Sequence, residues 1–361
     1  MILFLAAAIA MLLSNSPIAE QYFSIINQQN PVNVLFIVND VLMTIFFLDV
    51  GLQIKHQIIV GHLSKIKQVI LPAIAACGGV ILPALIYAFI NRHDPIALQG
   101  WAIPTATDIA FALGIIILLG KRIPVQLKII LLAIAIFDDM IAIIIIATFY
   151  TPNISTFYLI LSASAFFILC LMNYCKVQSI IHYLMVGALL WYFMLNTGIH
   201  PTISGVMVAL AVPLSTHENI HRPLYLWVAF VIMPIFGLTN AGISLQGLQL
   251  HDILTPVPLG IAIGLFIGKQ LGIFSISWLA VKLKIAEIPK SLSWLQYYGM
   301  AIVCGIGFTM SIFIGDLAFK YASNEYAILN KAGVLIGSII SALLGYLFLH
   351  AANSRIFAKL K

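Results

Sequence analysis

The chain has 361 residues, of which 62% are hydrophobic and only 8% are charged, with a mean hydropathy of +1.08. A soluble domain carries roughly 25% charged residues, so this composition excludes a soluble globule and indicates an integral membrane protein. The net charge of +6 at pH 7 is typical of some nucleic-acid-binding proteins, but here the basic residues lie at the ends of apolar segments rather than in one patch.

Apolar windows of about 20 residues recur along the chain, each long enough to cross a hydrocarbon core of ~30 Å as a helix. They lack the alternation of barrel strands, so they predict an all-α bundle. We predict twelve transmembrane helices: 1–14, 34–55, 70–90, 97–119, 125–150, 155–174, 178–195, 199–214, 224–243, 257–281, 296–319 and 330–350. No small-x-small cleavage site follows the first window, which favours a span over a signal peptide. No long polar linker interrupts the spans, so we expect a single transmembrane domain over 1–361, surrounded by the lipid bilayer.

The basic residues are distributed unequally between the two sides of the predicted bundle. Most of the 18 Lys and Arg residues fall in the even-numbered connections and the C-terminal tail, whereas the opposite connections hold only Arg92, Lys320 and Lys331. This bias predicts that both termini are cytoplasmic. The basic excess is therefore an orientation signal, and no nucleic-acid partner is expected. The four cysteines lack metal-ligand spacing and are expected to be packing residues.

Two of the predicted spans are interrupted. The fourth contains "GWAIPTATDIAFALG" (100–114), in which Pro104 removes a helical hydrogen bond, and the eleventh contains "GMAIVCGIGFTMSIFIG" (299–315). Broken spans in corresponding positions of two halves indicate a transporter site near the midplane. Spans 3–5 and 10–12 are offset by an odd number, so equivalent elements enter the membrane from opposite faces. We therefore predict an inverted repeat whose two discontinuous helices cross at the midplane.

Small residues recur at every fourth position of two spans, which favours close packing of helix backbones. These positions are Gly260, Gly264, Gly268 and Gly272 in span 10, and Gly333, Gly337, Ser341 and Gly345 in span 12.

Four charged residues lie near the middle of their apolar windows: Asp108, Asp138, Asp139 and Lys269. At roughly 2.5–3.5 kcal/mol each, they would cost about 10–14 kcal/mol if nothing compensated. They must be paired, hydrated or neutralised by protonation. A structural ion pair could absorb Lys269 and one aspartate, but not three carboxylates. Asp138 and Asp139 form an aspartate doublet. Their side chains point about 100° apart on a helix, so one partner cannot easily satisfy both.

The cluster suits a hard cation. Carboxylates, freed carbonyls and the hydroxyls of Thr105, Thr107 and Thr309 form an oxygen cage of the kind that binds Na⁺, Li⁺ or Ca²⁺. Such a cage holds either protons or the metal ion, and competition at one alternately exposed site is antiport. Asp108 is placed to offset the positive ends of facing half-helices, a role separate from ion binding. The ions are transported, so no cofactor is expected, and the protein is not expected to be an enzyme.

The motifs resemble those of the bacterial NhaA-type sodium/proton antiporters along nearly the whole chain. They appear in the family's order as "VND" (38–40), "ATDIAFALG" (106–114), "FDDMIAIIIIATFY" (137–150), "GIHPTISGV" (198–206), "GKQLGIF" (268–274) and "CGIGFTMSIFI" (304–314). The inverted repeat and broken helices of NhaA are themselves an established example of this architecture.

The resemblance implies electrogenic exchange across the bacterial inner membrane, in which more protons enter than sodium or lithium ions leave, in support of sodium and pH homeostasis. It assigns ion binding and proton transport to Asp138, Asp139 and Lys269, with Na⁺ on the two aspartates and Lys269 either as a partner of Asp138 or as a proton carrier. It places the helix crossing at Asp108, Thr107, Gly305, Gly307 and Thr309. His200 matches a histidine linked to the pH response.

Two cytoplasmic segments depart from the family pattern. After span 2 the family usually has G-L-E-[VI]-K-R-E, whereas this chain has "GLQIKHQ" with Gln53 and His56, and the cluster before span 9 is reduced to "STHENIHRPLYLW" with Glu218. Asp49 lies four residues before Gln53 and seven before His56, on one helical face. We hypothesise that Asp49 replaces the missing carboxylate, with His56 as its titrating partner; an ordinary polar contact is the alternative. The connection 15–31 is short for the β-hairpin of family dimers, so a homodimer is expected without an assigned interface.

Two other functions fit the sequence less well. An intramembrane aspartyl protease needs carboxylates that meet from separate helices, whereas this doublet is adjacent on one helix. A sodium-coupled symporter would need a cavity for an organic solute, whereas the polar residues here converge on an ion-sized site.

Overall fold

A computed structural model describes residues 2–28, 33–61, 66–120, 123–151, 154–245 and 249–360. Within these ranges the regular structure is entirely helical. The helices are α1 (Ile2–Ser14), α2 (Ala19–Ile26), α3 (Val34–Ile59), α4 (Ile66–Ile90), α5 (Pro95–Thr105), α6 (Ile109–Leu118), α7 (Val125–Phe149), α8 (Thr156–Tyr174), α9 (Ile180–Thr197), α10 (Ile203–Ala211), α11 (His217–Trp227, continuing to Asn240), α12 (Leu250–Ile253), α13 (Pro256–Lys282), α14 (Trp294–Val303), α15 (Phe308–Ala318) and α16 (Asn324–Leu360).

The prediction of a multi-pass helical membrane protein is confirmed. Eight helices of the described chain are long and apolar enough to cross a membrane, and eleven spans result if each of three bent helix pairs counts as one. Two of those pairs, α5 with α6 and α14 with α15, bend by 43° and 45° at their breaks. The third, α1 with α2, turns by 118°, so α2 does not extend α1 across the membrane.

The span predicted at 199–214 differs most from the structure. It contains only α10, whose nine residues extend about 14 Å at 1.5 Å per residue. The helix ends because Val212 adopts an extended conformation before Pro213, as residues preceding proline generally do. Lys55 Nζ donates to the carbonyls of Leu210 and Val212, at 2.6 Å each, which satisfies this helix end.

Three spans contain a π-helical turn, which composition did not predict. These turns are Ile37–Leu42 in α3, Val228–Ile232 in α11 and Gly264–Gly268 in α13. π turns occur frequently at functional sites. The turn in α13 ends directly before Lys269, the intramembrane lysine.

The chain divides into two compact units that the sequence does not mark with linkers. The first comprises 1–61 and 143–242, and the second comprises 62–142 and 243–361. In the first unit, α3 packs on α10 and α8 on α9; in the second, α4 packs on α13 and α16 packs on α13 and α14. The single-domain interpretation stays a prediction.

The small-residue stripes lie at close helix contacts in the second unit, as their spacing predicted. Gly272 and Gly78 bring α13 and α4 so close that a Cβ on either would collide with the backbone of the other. A Cβ on Gly333 would lie 2.7 Å from the Cα of Pro258. These contacts fix α4, α13 and α16 against one another, and α13 carries the lysine of the candidate site.

Candidate functional site

The first helix break positions Asp108. Pro104 lies within the 3-10 helix Gln99–Thr105, and Ala106 then becomes extended. Asp108 is the N-cap of α6, where its Oδ1 accepts a hydrogen bond from the Phe111 amide at 3.1 Å. Aspartate is a favoured N-cap because its carboxylate accepts the unpaired amides of a helix start. The sequence therefore starts a new helix in the middle of the span and leaves a buried carboxylate at its positive end.

The second break lies at 304–307, between α14 and α15. It is connected to the first break by hydrogen bonds. The Asp108 amide donates to the Ile306 carbonyl at 2.7 Å, and Thr107 Oγ1 lies 2.9 Å from the carbonyl oxygen of Cys304. Asp108 Oδ2 accepts from the Thr309 amide at 3.1 Å and also from the Thr309 hydroxyl. One carboxylate thus neutralises the amino ends of α6 and α15 together.

Asp138 and Lys269 form a fully buried ion pair. Lys269 Nζ lies 2.7 Å from Asp138 Oδ2, and both side chains have 0% relative exposure. The same Oδ2 accepts a hydrogen bond from Thr107 Oγ1 at 2.7 Å, and Lys269 Nζ also donates to the Thr105 carbonyl. The charge that α13 carries into the membrane is therefore compensated by a carboxylate of α7 and a carbonyl of the first break.

The aspartate doublet of α7 has carboxylate oxygens that are not used in hydrogen bonds within the described chain. Asp138 Oδ1 and Asp139 Oδ1 are buried and have no hydrogen-bond partner among the described residues. Asp139 is 1% exposed. Buried polar atoms in native proteins are rarely left without a partner, and an ionised carboxylate in such a place needs a counter-charge or a proton. One carboxylate oxygen of each of these two adjacent residues is thus available for a cation or for protons.

Comparison with known proteins gives the family. The family model described as Na⁺/H⁺ antiporter 1 matches residues 1–349. The Na⁺/H⁺ antiporter NhaA of Pseudomonas putida (strain GB-1) is 47% identical, over 96% of this chain and 93% of its own length. The namesakes from Nitrobacter hamburgensis (48%, covering 98% and 88%) and Vibrio alginolyticus (46%, covering 97% and 93%) are similarly close. The chain belongs to the NhaA family of sodium/proton antiporters.

The structure brings together most of the residues predicted for the NhaA-type site. Two helix breaks, one ion pair and one aspartate doublet occupy the second compact unit. The members linked by direct contacts are Thr105, Thr107, Asp108, Asp138, Lys269 and Thr309. Gly305 and Gly307 lie in the second break. This family is one of transporters, so the chain is not an enzyme in the usual sense.

The residues predicted for the pH response lie in the first compact unit. Gln53 Nε2 donates to Asp49 Oδ2 at 2.7 Å, as the shared helical face predicted. His221 Nε2 lies 3.6 Å from Asp49 Oδ1, a contact that the sequence analysis missed because α11 follows α3 by more than 150 residues. His200 Nε2 lies 3.5 Å from Asp40 Oδ1.

Of the other two residues predicted for the pH response, His56 lies in the last turn of α3, and the side chain of Glu218 lies outside the described part of the chain.

Proposed function

We propose that this protein exchanges cytoplasmic Na⁺ or Li⁺ for external protons across the bacterial inner membrane, through competition at Asp138 and Asp139. The observation that carries the proposal is the buried Lys269–Asp138 pair beside two carboxylate oxygens that lack partners among the described residues. The names of the NhaA relatives, all sodium/proton antiporters, support it.

An ammonium and an alkali metal ion are both cations that bind oxygen atoms, so they can compete for the same place in the site. Lys269 Nζ occupies a position bounded by oxygen atoms of Asp138 and Thr105, and a dehydrated alkali cation prefers such oxygens. A Na⁺ that binds the doublet must displace the ammonium from Asp138. The displaced ammonium of Lys269 then gives up a proton, as Asp139 does. When the ion leaves, Lys269 and Asp139 each take up a proton and the ammonium returns to Asp138. Alternate exposure of this site to the two sides of the membrane completes antiport.

Electrogenic exchange is part of the same proposal. Asp138, Asp139 and Lys269 provide more than one place for a proton, whereas the doublet holds one cation at a time. More protons can then enter than cations leave. Among the described residues no group of three or more His, Cys, Asp or Glu side chains is arranged to hold a metal, so hydroxyl or carbonyl oxygens would complete the shell.

The finer architecture also remains a proposal. We infer twelve spans with both termini in the cytoplasm, the segment 199–214 being the twelfth, and an inverted repeat whose broken helices cross at the midplane. The similar bends of the two broken pairs and the bonds between the breaks support the crossing. A homodimer is retained without an assigned interface.

A pH response is proposed for the first unit, where two histidine–aspartate contacts occur. The residues involved are Asp49, Gln53, His56, His200 and Glu218, to which the structure adds His221 as a contact of Asp49.

The test is dequenching of a pH-sensitive dye in everted membrane vesicles from a strain without other sodium/proton antiporters, on addition of Na⁺ or Li⁺ between pH 6 and 9. We expect dequenching by the wild type and its loss in Asp139→Asn. Asp252→Asn, which alters a short helix outside the spans, should behave as wild type. Normal exchange by the variant Asp138→Asn/Asp139→Asn would refute the proposal, and uptake of an organic solute driven by Na⁺ would indicate symport instead.

A further inference from the structure

The start of α15 lacks a cap of its own. Its N-cap is Gly307, which has no side chain to accept a hydrogen bond. The first amides of any helix have no partner within the helix, and Ser, Thr, Asp or Asn usually supplies one. Because α15 begins in the buried interior of the unit, with Phe308 4% and Thr309 1% exposed, water cannot easily take that role.

Two residues from other helices cap α15 instead. Asp108 accepts the Thr309 amide at 3.1 Å, and Ser338 Oγ of α16 accepts the Phe308 amide at 3.2 Å. Asp108 holds the second amide of the helix and Ser338 the first. The donor and acceptor of the Ser338 bond are both buried, so removal of the hydroxyl would leave the Phe308 amide without its partner.

Small residues let α16 pack closely enough to bring the Ser338 hydroxyl to the Phe308 amide. Gly337, next to Ser338, faces α13 so closely that a Cβ there would lie 3.1 Å from the Cα of Ala262. A Cβ on Gly345, two turns further along, would lie 2.6 Å from a methyl group of Val303, the last residue of α14. The glycine spacing of α16 therefore seats its serine against the second break.

We propose that Ser338 is a positioning residue for ion exchange, which acts by fixing the first turn of α15. That turn carries Thr309, whose amide and hydroxyl both bond to Asp108, and Asp108 lies next to Thr107, the hydroxyl that bonds to Asp138. Loss of the Ser338 bond would release the Phe308 amide to compete for Asp108 and would disturb this series of contacts. The inference rests on the proposed function and adds to it a residue of α16 that does not touch the ion.

The chain provides a matched control in Ser341. It lies three residues further along α16, is 0% exposed, and its Oγ has no hydrogen-bond partner in the described part of the chain. Ser341→Ala therefore removes the same atom from the same helix without removing a described hydrogen bond.

The experiment measures the apparent KM for Na⁺, the maximal exchange rate and the pH profile in everted vesicles, with expression levels matched. Ser338→Ala should raise the KM about five- to tenfold, the effect expected from loss of one buried hydrogen bond, with a smaller change in maximal rate. Ser338→Thr keeps the hydroxyl and should restore the wild-type KM. Ser338→Cys, a weak acceptor of similar size, should lie between them and keeps the test informative if the alanine variant does not fold.

The outcomes separate this inference from the proposed function. If Ser338→Ala and Ser341→Ala have the same KM as the wild type, or if both raise it equally, Ser338 is only a packing residue. If the wild type itself shows no Na⁺-dependent exchange, the proposed function fails and the role of Ser338 in it is overturned with it.

Discussion

Each compact unit contains an aspartate buried in an apolar span, and the two are compensated in different ways. In the second unit Asp138 is paired with the ammonium of Lys269 at 2.7 Å and lies next to two helix breaks. In the first unit Asp49 lies in the continuous part of α3, 2% exposed, with an amide at 2.7 Å and the imidazole of His221 at 3.6 Å.

The difference concerns what compensates each carboxylate. The ammonium of Lys269 keeps Asp138 ionised. A second cation can then replace the ammonium, which is what an exchange site requires. The imidazole of His221 is charged only when protonated, so the compensation of Asp49 depends on pH. The comparison therefore supports the proposals of transport at the first kind of site and of modulation at the second.

The largest effect is expected from removal of the Lys269 charge. Lys269→Met leaves Asp138 buried without its counter-charge, and breaking a buried pair costs about 3–5 kcal/mol, which corresponds to a fall in Tm on the order of 5–10 °C. Thermal unfolding of the purified protein at pH 8, where protonation relieves the carboxylate least, measures this loss. Adding Asp138→Asn should recover most of the Tm without recovering exchange.

Lys282→Met is the control for this prediction. Lys282 lies in the last turn of α13, with its ammonium 4.8 Å from the centre of the Trp278 ring, and its removal should lower the Tm by little. Equal losses for the two lysines would show that the buried pair contributes no special stability.

A smaller and more selective effect is expected at Asp49. The groups around it are Gln53 on its own helix and His221 on α11, while α10, which also packs on α3, has no titratable side chain. Asp49→Asn removes the counter-charge of the protonated imidazole, so the midpoint of the pH–activity curve should move to lower pH by about half a unit or more, with the maximal rate unchanged.

The partner of Asp49 can be identified by comparing two histidines. His221→Gln should abolish the effect of Asp49→Asn, whereas His56→Gln should leave it intact. An unchanged pH curve in Asp49→Asn would show that this cluster is only a packing contact. If His56→Gln, and not His221→Gln, abolished the effect, His56 would be the partner of Asp49, as the sequence predicted.

How far the sequence predicts the site depends on how local each contact is. The cost of charge in the membrane interior predicted that Lys269 and the buried aspartates need compensation, but it did not show which aspartate pairs with the lysine; the structure gives Asp138. The place of Asp108 at a helix start depends on nearby residues, since Pro104 interrupts the helix just before it. By contrast, His221 reaches Asp49 from a distant helix, and helical spacing along α3 gave the nearer His56 instead.

The fold shows the same limit. Apolar windows predicted the long helices well, because burial in lipid requires them. Hydropathy did not show that 199–214 contains only nine helical residues, since the segment is apolar whether or not it is helical. The cap that Ser338 provides was hidden for a related reason: the serine belongs to a stripe of small residues, and only the structure shows which of its members meets an unpaired amide.

The smallest effect is expected at Asp94, an aspartate outside the spans that extends the comparison to an accessible carboxylate. Its Oδ1 caps Pro95–Leu98 through two amides at 2.9 and 3.1 Å, and its Oδ2 accepts from the Tyr326 hydroxyl at 2.6 Å. These bonds, that of Tyr326 first, hold the pKa of Asp94 below its ordinary value of 3.8. The carboxylate therefore contributes stability above pH 3.8, which is lost as the pH falls through the lower pKa of the folded state.

Substitutions at Asp94 and Tyr326 should separate the cap from the charge. Asp94→Ala should lower the Tm by about 1–3 °C at pH 7, the usual effect of a lost N-cap. Asp94→Asn keeps the cap and should lose less. Its deficit should shrink as the pH falls below 3.8 and should disappear below the lower pKa of the folded wild type, because the wild-type carboxyl is then neutral as well. Tyr326→Phe should reproduce the Asn deficit without adding to it. A deficit for Asp94→Asn that stayed constant with pH would mean that the charge of Asp94 contributes nothing to stability.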